Sequence, residues 1–250
     1  MTSTRITVPP TSVTADVRRV LDLGAAVVAL PLVPADGDDP PRVGAGGDEV
    51  SAATRLDLSA VIAREDATGK AGTIVTVPVA QGHASADDAD ADADDDADTG
   101  VAVVHLVGVG DSTAADLRRA GAALARAVRG RDLVATTIAS TADDAALRAF
   151  VEGAVLATFA VGAYKRGDGV PDSALPAATL ILAGEERDDA VSAASTVARA
   201  AWLARELIHA PSNDKDPAWL AERATSIAFA RLSPATISGT AAFSAAVSAG

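Results

Sequence analysis

From Val101 onward the chain alternates runs of strand length with runs of helix length, and this order limits the fold more than any other feature. The apolar run Val101–Val109 leads through Gly110, Asp111 and Ser112 into a helix predicted from about Thr113 to Arg129, with Asp111 or Ser112 as its cap. Asp132–Ala139 reads as the next strand, Thr141 and Asp143 as caps of a long helix through Ala163, and Ala177–Ala183 as a further strand. A long helix starts at Asp188. Strands that alternate with helices predict an α/β fold, a mostly parallel sheet flanked by helices.

The first hundred residues are read on the same rules. Ala25–Leu32 is continuously apolar and fits a strand covered on both faces, while Gly72–Val79 carries Pro78, which marks a sheet edge or a strand end. Val13–Leu23 is expected to form a short amphipathic helix, Leu56–Glu65 another, and residues 34–47 a surface loop. Residues 1–11 read as a loose terminus.

Composition narrows the function classes. With 49% hydrophobic residues but only 3% aromatic, the core must be built from Ala, Val and Leu. The absence of Cys removes disulfides and thiolate metal sites. A net charge of −13 with no basic cluster argues against nucleic acid as a partner. No signal peptide or membrane-length apolar run is recognisable, so the expectation is a cytoplasmic protein without a membrane partner. Eight of the 34 acidic residues lie in the low-complexity run 84–99. That run lacks the spaced ligands, Gly turn and bidentate Glu of a calcium loop and reads as a solvated, disordered loop.

The segment from Asp188 to Arg223 carries more information. Ala194, Val197, Ala201, Ala204 and Ile208 recur in steps of three and four, so this stripe of the helix is expected to face a core. Pro211 ends the helix, and Asp216 followed by Pro217 starts a second one. Arg205, Glu206, Leu207, Ile208, Pro211, Asn213 and Pro217 match R-[DE]-L-[VI]-N-x-P-x-N-x-x-x-P, except that His209 stands where Asn is usual. Upstream, Phe150–Lys165 contains Glu152, Gly153, Leu156 and Phe159 in the pattern E-G-x-x-L-x-x-[YF], and ends in Tyr164-Lys165. The two motifs in this order resemble the leucyl aminopeptidase (cytosol aminopeptidase) family at the junction of its N-terminal and catalytic domains.

The resemblance covers roughly residues 15 to 224. It implies a macro-domain-like N-terminal α/β domain over residues 1–184, with 84–99 as its acidic loop. An interdomain helix and junction would follow over 185–224, and then an unassigned tail over 225–250. It also implies a cytoplasmic homohexamer that removes N-terminal residues such as Leu from peptides. Two divalent metals, Mn or Zn, would be held there by a Lys, several Asp and a Glu.

The motifs that supply those ligands, approximately G-K-G-x-x-[FY]-D-[ST]-G-G and N-T-D-A-E-G-R, do not occur in the chain, and Lys70, Lys165 and Lys215 have the wrong neighbours. No catalytic, metal-binding or cofactor-binding residue is therefore assigned. His83, His105 and His209 belong to no H-E-x-x-H or His/Asp cluster; His105 reads as a core or sheet-face histidine, and His209 as a residue suited to a helix C-terminus. No G-x-S-x-G elbow is present either.

Two readings of function remain open at this point. One is the non-catalytic N-terminal domain of such an aminopeptidase, inactive alone, with a scaffolding role as a homo-oligomer or in co-assembly with an intact enzyme. The other is a macro-like module for a nucleotide or ADP-ribose type ligand at the Gly108-x-Gly110 turn, where a strand meets a helix N-terminus, although the turn lacks a third Gly and a following P-loop Lys and so reads first as a plain tight turn. The tail, small and rich in Ser and Ala, resembles neither. Truncation of a longer protein and a divergent free-standing domain both account for it.

Overall fold

Strand β2 (Val27–Val33) is buried along nearly its whole length, which makes it the centre of the sheet. In the computed structural model, which describes residues 12–80, 100–159, 179–184, 187–213 and 215–231, its side chains alternate between two cores. Val27 and Ala29 enter one, Val28, Leu30 and Leu32 the other.

Around β2 stand β1 (Ser12–Asp16), β3 (Arg42–Val43), β4 (Ile74–Pro78), β5 (Val103–Gly108), β6 (Leu133–Thr136) and β7 (Thr179–Ala183). The sheet order is β1-β7-β6-β2-β5-β4, with β3 paired to the end of β2. Pairs β1–β7, β7–β6, β6–β2 and β2–β5 are parallel, while β4 and β3 are antiparallel to their neighbours. The expected α/β fold with a mostly parallel sheet is therefore present, and β4, the strand that carries Pro78, lies at an edge.

Helices α1 (Gly47–Thr54) and α2 (Leu58–Arg64) cover one face through Val50, Leu58, Val61 and Ile62. Helices α3 (Ala114–Ala127), α4 (Asp144–Leu156) and α5 (Asp188–His209) cover the other. There α3 and α4 cross where each carries a glycine. A Cβ on Gly121 would lie 2.2 Å from the Phe150 carbonyl oxygen, and one on Gly153 would lie 2.1 Å from that of Arg118. With so few aromatic side chains to fill space, the helices close on each other through small residues around Phe150, the largest fully buried side chain.

Several expectations need correction. Val13–Leu23 is not an amphipathic helix: Ser12–Asp16 is strand β1, with Val13 buried and Thr14 exposed, and only Leu21–Leu23 makes a 3-10 turn. The apolar period there is two, set by pairing with β7. Residues 34–47 include the short strand β3, and α1 follows directly. Helix α3 is capped by Thr113, whose hydroxyl accepts from the Asp116 N–H, and not by Asp111 or Ser112. Asp143 caps α4, which ends at Leu156 and not at Ala163.

The stripe on α5 is also placed differently. Ala190, Val191, Ala194, Ala198 and Trp202 are buried, whereas Val197 is 57% exposed and Ile208 is 72% exposed. In a helix so rich in Ala, several stripes are apolar, and the one that carries the bulky Trp202 gains most from burial. As expected, α5 ends at His209 and α6 (Pro217–Arg231) begins with Pro217; the Asp216 carboxylate accepts from the Trp219 N–H at 2.7 Å. His83, the acidic run and the Tyr164-Lys165 pair lie outside the described residues.

Candidate functional site

In a parallel sheet, ligands enter at the carboxyl ends of the strands, and that edge is where a site would form. It is closed by the chain itself. Beyond β5, residues 69–73 fold over the Gly108-x-Gly110 turn: Gly110 N–H donates to the Gly69 carbonyl at 3.0 Å, and Gly72 N–H to the Gly108 carbonyl at 2.9 Å. A Cβ on Gly108 would meet the Lys70 carbonyl oxygen at 2.1 Å, so glycine is needed there for the close approach of backbone and not for a phosphate.

Between β2 and β6 the loop 44–47 fills the crevice where strand order changes direction. The Thr137 hydroxyl donates to the Ala45 carbonyl, and a Cβ on Gly46 would touch the Thr137 methyl group at 3.0 Å. Beyond β6 and β7, Arg187 donates to the Ala142 carbonyl at 2.7 Å and to the Asp144 carboxylate at 2.6 Å, and this bond holds the Asp144 carboxyl below its ordinary range. The cavity left beside Ser140 and Arg187 measures about 10 Å³, room for one water at most. An open hollow of about 640 Å³ over the 44–47 loop has mixed charge, Arg19 and Arg42 against Asp48 and Glu49, with Arg19 and Glu49 3.5 Å apart. The ligand-module reading has no support in this geometry.

His105 lies in β5 opposite Thr76 of β4, and its Nδ1 is 3.0 Å from the Thr76 hydroxyl. Burial pushes its imidazole below the ordinary value, and the positive charge of Arg131 acts in the same direction. Among the described residues no three His, Asp or Glu side chains form a group that could hold a metal ion. The donor set that the resemblance implies for two metals is not found there, and no step of hydrolysis is assigned to these residues.

What the structure does bring together is the pair of sequence motifs. Glu152 accepts from Arg118 across the α3–α4 contact at 2.7 Å, next to the Gly153 crossing. Phe159, at the end of the same motif, packs edge-on against Trp202 of α5, with ring centroids 5.0 Å apart. It also lies 5.4 Å from the His209 ring, and the Arg205 guanidinium sits over it at 5.9 Å. Arg205 donates to the Leu156 carbonyl at 3.2 Å, and His209 Nδ1 donates back to the Arg205 carbonyl at 2.7 Å.

The second half of the junction motif fixes α6 against α5. Glu206 accepts from Arg223 at 2.6 Å, with the two side chains only 12% and 3% exposed, and the Arg223 guanidinium stacks 5.6 Å from the Trp219 ring. Lys215 donates to the Ile208 carbonyl at 2.9 Å, closing the last turn of α5. Arg205, Glu206 and His209 thus act as three parts of one joint. Arg223, its most buried ion-pair member, lies outside the R-E-L-I-H string; the signal that could have found it is its place one helical turn after Trp219.

The α/β body followed by a helix, a bend and a helix is the fold of the N-terminal domain of leucine aminopeptidases: a tomato leucine aminopeptidase mutant aligns with a TM-score of 0.65 and 22% identity over 90% of this chain and 43% of that one. The bottromycin maturation enzyme BotP aligns with a TM-score of 0.55 and 26% identity over 82% of this chain and 37% of its own.

Residues 95–168 match the cytosol aminopeptidase family, N-terminal domain. A probable cytosol aminopeptidase of Leifsonia xyli subsp. xyli is 33% identical over 184 residues, 72% of this chain and 33% of the relative. Another, of Mycobacterium bovis (strain BCG / Pasteur 1173P2), is 26% identical over 212 residues, 82% of this chain and 38% of the relative. The chain belongs to the cytosol aminopeptidase family, of which it carries the N-terminal region. It spans 33% to 38% of the length of these two relatives.

Proposed function

We propose that this chain is the non-catalytic N-terminal part of a leucyl aminopeptidase-like metallo-exopeptidase and serves as an assembly scaffold, releasing no amino acid by itself. The observation that carries this reading is the joint at α4, α5 and α6. Both motifs of the family resemblance meet there, and they use their polar groups to fix helices to each other. The two motifs that hold the water-activating metals in the family are absent from these 250 residues, which supports a positional contribution to peptide hydrolysis. The proposed setting is the cytoplasm. The proposed partners are further copies of this chain or an intact aminopeptidase, with peptides handled by catalytic residues that this chain does not supply.

The test is direct. Purified chain is incubated with a Leu-anilide substrate and added Mn²⁺ or Zn²⁺, and its mass in solution is measured by sedimentation. The expected outcome is no leucine release above a metal-free control, together with an assembly larger than one chain. Release that depends on metal would overturn the non-catalytic reading, and a strict monomer that ignores an intact aminopeptidase would overturn the scaffold.

A further inference from the structure

The sheet ends at β1, and the outer edge of that strand pairs with no other strand among the described residues. Open edges of this kind present a row of backbone N–H and C=O groups ready to bond to another extended chain. Here the edge faces a groove of about 330 Å³ between β1 and α5. Its floor is apolar, from Val155 and Val191, and its far wall carries the short hydroxyl side chains of Ser192, Ser195 and Thr196. Short side chains leave room for a backbone.

The two ends of the groove are charged, and oppositely. Helix α5 folds back along β7 and β1, and the Gly184 N–H that precedes it bonds to the Asp16 carbonyl at 3.1 Å. Asp188 therefore lies at the carboxyl end of β1, and Arg199 toward its amino end. Eleven residues of helix put them about 16 Å apart along the axis, the length of about five residues of strand, and β1 itself has five. Asp16 is already taken up by Arg18, whose hydrogen bond holds its carboxyl at about 2, so Asp188 is the acid that faces the groove.

We propose that the edge of β1 and the facing side of α5 take an extended peptide as an added strand, antiparallel to β1. Its acidic carboxyl end lies at Arg199 and its basic amino end at Asp188. The main-chain ladder supplies affinity, the charged ends fix direction, and alternate side chains point onto Val155 and Val191. This inference does not depend on the scaffold reading above.

The experiment is calorimetric titration of the full chain with two blocked heptapeptides of alternating Val and Thr, one with Lys at the amino end and Glu at the carboxyl end, the other with those charges exchanged. Binding of the first is expected at submillimolar concentration, about fivefold tighter than the second, the size of two exposed ion pairs gained or lost. Arg199→Glu, a change at an exposed side chain, should cancel or invert that preference, and N-methylation of alternate peptide amides should abolish binding in one of the two registers. The idea fails if neither peptide binds at millimolar concentration, if Arg199→Glu leaves the ratio unchanged, or if both methylated peptides bind like the parent. It also fails if the chain sediments as a dimer that Thr14→Lys dissociates, since the groove would then belong to a second copy.

Discussion

The α3–α4 contact and the α5–α6 joint are both helix pairs, yet they are held by opposite means. At α3–α4 the two backbones touch through Gly121 and Gly153, and the contact lies on a continuous core with Phe150 at its centre. At α5–α6 the exposed side chains of Val197, Ile208 and Leu220 leave apolar area in water, and cohesion comes from polar contacts such as the nearly buried Glu206–Arg223 pair and the Lys215 bond to the Ile208 carbonyl. The first contact tolerates no added atom. The second depends on a few polar groups whose partners must stay paired, so local opening is expected to cost least at α6 and most at the α3–α4 crossing.

The largest effect should come from breaking the first side of this comparison. Gly121→Val places a branched side chain where even a Cβ meets the Phe150 carbonyl, so about 3 kcal/mol of stability should be lost as overpacking. Urea denaturation followed by circular dichroism would show the midpoint shift for the whole chain. An unchanged midpoint would mean that the two helices are not locked.

Arg223→Ala should act on the second side alone. It leaves the Glu206 carboxylate without its nearly buried partner, a local cost of about 2 kcal/mol, less than for a fully buried pair because Glu206 keeps some access to water. Amide exchange should quicken across α6 while the urea midpoint of the body stays in place. A global shift instead would show that α6 and the body unfold together.

The smallest effect is a matter of pH in the body. Because the folded state holds the His105 proton affinity below the ordinary value of 6.5, the unfolded chain binds a proton that the native chain rejects. The associated stability is full above about pH 6.5 and is lost as pH falls below it toward the lower native value. His105→Gln should flatten that part of the stability curve between neutral and mildly acidic pH, with the joint unaffected.

Much of this was legible in the sequence for a physical reason. Val27–Val33 and Val103–Gly108 are nearly uniform apolar runs, and such runs have few alternatives to a covered strand. The phase of α5 was not legible, because Ala at 194, 198, 201 and 204 offers several equivalent stripes and only the bulk of Trp202 decides among them. The segment of β1 also fits a helical pattern, because Val13 and Val17 are four residues apart, and a partner 167 residues away, reached by the Ser12–Thr179 hydroxyl bond, is invisible to a local pattern. At the joint, both motifs could be read as strings, but their contact through Phe159 could not. The turn at Gly108 is a tight turn, as the missing third Gly and P-loop Lys suggest, but the residues that close over it, 69–73, lie far upstream and are not legible from the turn itself.

One property of the joint turns it into an instrument. The chain has two tryptophans, and they are Trp202 and Trp219, one on α5 and one on α6. Intrinsic indole emission from this protein therefore reports on two places, the seat of α5 on Phe159 through the buried Trp202, and α6 through Trp219. A change of emission colour that precedes loss of the far-ultraviolet signal would time the opening of the joint in the unlabelled native sequence, and a partner that seats on the joint would announce itself in the same channel.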